Sequence, residues 1–114
     1  MILNCMPAIA QFEQLLEQNF RENRHPLFYA SAMGMTYYQL NQRVKHHFGK
    51  TLYDVIQDRL HREILDLLSN RGIKLGQIAH ELGCCDQAHL SRSFKKRMGV
   101  GPRAYRRELA PALG

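Results

Sequence analysis

The stretch LGQIAHELGCCDQAHLSRSFKKRMG, residues 75–99, decides the fold. Ile78, Ala79 and Leu82 stand at i, i+1 and i+4, the apolar stripe of a short helix. Gly83 follows, the residue type that ends a helix in the left-handed region. Asp86 is suited to cap a second helix, in which Leu90 and Phe94 are four apart and share a face. The other face carries Gln87, Ala88, Ser91, Arg92, Lys95 and Lys96. An apolar back, a tight turn and a polar, cationic front describe a helix-turn-helix whose second helix faces nucleic acid.

The pattern occurs twice. Upstream stands YASAMGMTYYQLNQRVKHHFG, residues 29–49. Ala30 precedes Gly34 by four, as Ala79 precedes Gly83. Leu40, Val44, Lys45 and Gly49 repeat the spacing of Leu90, Phe94, Lys95 and Gly99 without a gap. The turn alone differs, by one residue more between Gly83 and Leu90. Two copies about fifty residues apart imply one structural unit used twice.

Bulk properties agree. The 114 residues suffice for one modest core. No apolar run approaches membrane-spanning length, and no charged segment leads into a secretory apolar one. Three cysteines, two of them adjacent, form no disulfide framework and point to a reducing cytoplasm. The net charge of +6 is uneven. Residues 1–34 hold two basic and three acidic side chains, and residues 35–114 hold fourteen and seven. The cationic excess therefore travels with the repeat and favours a polyanionic partner.

Taken in order, the chain predicts seven helices and no strand. Ile9, Phe12, Leu15, Leu16 and Phe20 mark the first, to about Glu22. His25-Pro26 starts a short second one that runs to Met33, before Gly34. Thr36, with Gln39 three residues on, forms a capping box for the third. There Leu40, Val44 and Phe48 face inward, and Tyr38, Asn41, Gln42 and Lys45 outward. Thr51 caps a fourth, whose stripe of Leu52, Val55, Ile56, Leu60, Ile64, Leu67 and Leu68 is the strongest in the chain. Its eighteen or so residues reach about 27 Å, near the roughly 34 Å recurrence of major-groove faces. After the pair in residues 75–99, Gly101-Pro102 starts a last helix to about Leu109. Arg103, Arg106 and Arg107 lie on its surface, and residues 110–114 form a loose tail. The division is 8–50 for the first helix-turn-helix, 51–69 for a central linker helix and 70–109 for the second.

These residues resemble the DNA-binding domain of the AraC/XylS family of bacterial transcription regulators, over roughly residues 8–107. Ile78, Ala79, Leu82, Gly83, Asp86, Ser91, Arg92, Phe94, Lys95, Gly99, Pro102, Tyr105 and Arg106 fit the family pattern. Ala30, Gly34, Leu40, Gly49 and Lys50 fit it more loosely. The sequence departs from the pattern at Cys84, Leu90, Arg43 and Glu63-Ile64. The resemblance implies an all-α, homeodomain-like module with two helix-turn-helix units joined by a long helix. It implies that the third and sixth helices enter adjacent major grooves of a promoter, as in an activator. Base contacts would then fall to Tyr38, Asn41 and Gln42, and to Gln87, Ala88, Ser91 and Arg92. By family habit an effector domain lies outside this chain, and RNA polymerase is a further partner.

Major-groove chemistry suits the set. Arg92 matches guanine O6 and N7, Gln87, Gln42 or Asn41 matches adenine N6 and N7, and Tyr38 and Ala88 suit a thymine methyl. Lys45, Lys50, Lys95, Lys96, Arg97 and Arg103 are placed for phosphates, aided by helix N-termini near Thr36, Thr51 and Pro102. Two other readings stay open. Cys84 and Cys85, with His80 and His89, could form a metal or thiol sensor, although adjacent cysteines fit a tetrahedral zinc poorly. The same helices could serve a protein–protein adaptor. An enzyme is disfavoured, since no phosphate loop, carboxylate pair or nucleophile elbow is present. Neither a cofactor nor a resident metal is called for.

Overall fold

The computed structural model describes residues 7–83 and 86–113, with side chains up to Leu109. Among these residues the fold is entirely helical: α1 Ala8–Asn19, α2 Pro26–Ala32, α3 Tyr37–Phe48, α4 Leu52–Ser69, α5 Leu75–Glu81, α6 Gln87–Met98 and α7 Pro102–Leu113. They fall into two compact units that divide between His61 and Arg62, inside α4.

Local chemistry sets the boundaries. Pro26 opens α2 at a position where its missing N–H is not needed, and His25 Nδ1 accepts the Leu27 N–H at 3.2 Å. The capping box at α3 is complete. Thr36 Oγ1 accepts from Gln39 N at 3.1 Å, and Gln39 Oε1 accepts from Thr36 N at 3.0 Å. Asp86 Oδ1 accepts from His89 N at 2.7 Å and starts α6. Both α3 and α6 stop at a left-handed glycine, Gly49 with φ 74° and Gly99 with φ 83°.

In the first unit, α1, α2 and α3 pack on one another, Leu40 and Val44 of α3 are fully buried, and Asn41 of α3 accepts the first N–H of α4. Tyr29 is completely buried, edge-on to Phe12 and Phe28, with its hydroxyl donating to Asn23 O at 2.6 Å. Arg59 of α4 pairs with Glu17 and lies 4.1 Å above the Phe20 ring, fastening α1. In the second unit, α6 packs on α5 and α7, and Phe94 meets Tyr105 edge-on with centroids 5.6 Å apart. The buried positions of α4 are Leu52, Ile56, Leu60, Ile64 and Leu68, spaced by four, with Glu63 also buried.

Three details differ from the sequence expectation. First, α7 runs on through residues 110–113 instead of ending near Leu109. Pro111 removes one helical donor there without ending the helix. Second, α1 ends at Asn19, three residues early, where the Asn19 side chain turns back to Leu15 O. Third, Arg106 is not a surface cation. It is half-buried and donates to Leu68 O at 2.9 Å.

Candidate nucleic-acid interface

The two repeats share one register. Adding fifty to a residue number carries the N-cap Thr36 onto Asp86 and the buried Leu40 and Val44 onto Leu90 and Phe94. It also carries the terminal Gly49 onto Gly99. The turns agree as well, with Gly34 and Gly83 both at φ 67° after Ala30 and Ala79, each almost fully buried. Burying the leucine and aromatic or valine side of each helix leaves the reverse side to solvent.

On α3 that outer side carries Tyr38, 70% exposed, with Gln42 and Lys45 also exposed. On α6 it carries Ala88, Arg92, Lys95, Lys96 and Arg97, all exposed. Asn41, Gln87 and Ser91 are half-buried. Asn41 is already engaged, since its Oδ1 accepts the Leu52 N–H at 2.8 Å. Gln87 leans over α5, with its Oε1 3.4 Å from the place a Cβ on Gly76 would occupy. Exposed cations lie in the last turn of each helix, Lys45 on α3 and Lys95, Lys96 and Arg97 on α6, where they also oppose the negative end of the helix dipole.

The remaining phosphate candidates are placed as follows. Arg103 is exposed near the start of α7. Thr36 and Thr51 spend their hydroxyl acceptors on Gln39 N and Asp54 N. Lys50 pairs with Asp58 at 2.6 Å, while more than half its side chain stays in solvent. Such a pair holds by less than about 1 kcal/mol, so a phosphate can displace the carboxylate. Sequence reasoning passed over Tyr37, which is 41% exposed and is the register counterpart of Gln87. The fifty-residue offset was the signal that would have found it.

A family description, "Helix-turn-helix domain", of the AraC type, matches residues 29–108, which takes in both turn-and-recognition pairs and all of α4. The chain belongs to the AraC-type helix-turn-helix family. Its role is that of this family's domain, DNA-binding transcription regulation, with double-stranded DNA as the partner. Among solved structures, it is similar to the C-terminal domain of AraT, a response regulator from Geobacillus stearothermophilus. The TM-score is 0.80 at 23% identity, over 90% of this chain and 86% of that one, a likeness of fold. No match was found among the curated proteins.

Cys84 and Cys85 of the sensor reading lie outside the described residues. Among those described, no three His, Cys, Asp or Glu residues form a group able to hold a metal ion. No described helix is long and apolar enough to cross a membrane.

Proposed function

We propose that this AraC-type domain is a sequence-specific regulator that lays α3 and α6 in adjacent major grooves of a bacterial promoter and activates transcription there, with RNA polymerase as a protein partner. It would do so in the cytoplasm, on the nucleoid. The observation that carries the reading is the shared register. Two helices bury equivalent residues and offer equivalent outer sets, Tyr38, Gln42 and Lys45 on one and Ala88, Arg92 and Lys95 on the other.

Arg92 takes guanine through O6 and N7, Gln42 takes adenine, and Tyr38 and Ala88 meet thymine methyls. Gln87, Ser91 and Asn41 border these readers. Lys45, Lys95, Lys96, Arg97 and Arg103, with Lys50 once released from Asp58, meet phosphates and set the orientation. The Thr36 and Thr51 caps order the helix starts beside them. About six phosphate contacts would give a log–log salt slope of about −5.

Titration of a labelled duplex against the protein at several salt concentrations tests this directly. A steep slope, together with tighter binding to some sequences than to others, is expected. Binding with no salt dependence would favour the adaptor reading.

A further inference from the structure

The two units solve one local problem in different ways. The fifty-residue register that matches Leu40 with Leu90 and Gly49 with Gly99 also matches Asn41 with Ser91 and Leu52 with Pro102. Leu52 is the first residue of α4, and its N–H has no acceptor inside its own helix. Asn41 Oδ1 supplies that acceptor at 2.8 Å. The same position of α7 is Pro102, which has no N–H to satisfy. Ser91 therefore has no such duty.

Because its partner is a donor, the Asn41 amide must turn its oxygen to α4. Asn41 is half-buried, whereas the neighbouring Gln42 is exposed. Pairing with adenine needs the oxygen and nitrogen of one amide presented together to the base edge. An oxygen held against Leu52 cannot be presented that way. Exposed at the central reading positions of α3 are the Tyr38 ring and the Gln42 amide, with the Tyr37 ring beside them at the helix start. None is cationic, and Gln42 occupies the place that Arg92 holds in α6.

We propose that Asn41 is a positioning residue that locks α3 to the start of α4, so that the first unit selects A·T pairs through Tyr38 and Gln42, while Ser91, released by Pro102, shares the reading with Arg92. This rests on the DNA-reading function above. The lock holds α3 against the start of α4 and so lowers the cost of docking the helix, while Tyr38 and Gln42 choose the bases. It supplies affinity without carrying sequence information.

The test is selection of bound sites from randomised duplexes by the full chain, with thermal midpoints for each protein. The proteins are the wild type, Asn41→Ala, Asn41→Asp and Gln42→Ala. The wild type should enrich one A·T block and one block containing guanine. Asn41→Ala should lower the midpoint by roughly 4 °C and weaken all sites by one common factor, leaving base preference unchanged. Asn41→Asp keeps the acceptor and places a negative charge at a helix N-terminus. It should hold the midpoint and the rank order of sites. Gln42→Ala should relax one position of the A·T block by roughly tenfold. Relaxation at a single base pair in either Asn41 variant, or a guanine-dominated first block, would overturn the proposal. If the wild type enriched no site at all, the DNA-reading function would fail instead.

Discussion

Arg106 Nε donates to the carbonyl oxygen of Leu68 at 2.9 Å, and Arg106 Nη2 lies 3.3 Å from Asn70 O and 3.5 Å from Leu67 O. The last carbonyls of a helix have no donor of their own, and a forked cation matches several at once. One side chain of α7 thereby finishes α4. Arg106→Ala should destabilise the chain by about 2 kcal/mol in denaturant unfolding. Arg106→Lys should recover only part of this, because an ammonium lacks the fork. The salt slope of DNA binding should be the same in both variants.

Gly49 and Gly99 offer a cleaner case. A Cβ added at either would meet nothing within 4 Å, yet both sit at positive φ. Alanine should therefore cost about 1–2 kcal/mol through the backbone alone. Asparagine, which tolerates this region better, should cost less. Urea unfolding of the two pairs of variants checks the ordering.

Tyr29 makes a pH-dependent contribution. Burial pushes its phenol up from 10.0 to about 12, against a smaller lowering by Arg24. Folding thus favours the neutral phenol. This contribution is complete below pH 10 and is lost as pH rises towards 12, an effect on the order of 2 kcal/mol. In unfolding measured from pH 8 to pH 12, the wild type should lose stability more steeply than Tyr29→Phe.

Lys95 and Arg92 share a helix and differ in expected role. Lys95→Ala should weaken binding to all sequences alike and reduce the salt slope by about 1. Arg92→Ala should cost about 1–3 kcal/mol at one guanine and relax preference there. Salt titrations on matched and singly substituted duplexes separate the two.

Much of this architecture is legible in the sequence, for a physical reason. Helix starts and stops are local, so Thr36 with Gln39, Asp86, Gly49 and Gly99 could be read one turn at a time. The buried stripe of α4 follows from spacing alone, as does the outward side of α6 that holds Arg92 and Lys95. What escaped was set by partners distant in sequence. Asn41 lies on the outer half of α3 by periodicity, and only the approach of Leu52, eleven residues on, explains its engagement. Arg106 looked like one arginine among three until the end of α4, thirty-eight residues earlier, came within reach. Glu63 broke the apolar pattern and is buried all the same. Tyr37 was missed because its polar counterpart Gln87 has an obvious hydrogen-bonding role and a tyrosine beside another tyrosine does not.

The central claim, that α3 and α6 each read a major groove of the same site, is tested most directly by spacing. Once a preferred site has been selected, its affinity is compared with that of a duplex carrying about five extra base pairs between the two blocks, half a helical turn. The expected result is two blocks with centres about 10 bp apart and a fall to non-specific affinity on insertion. A single conserved block, or unchanged affinity after the insertion, would contradict it.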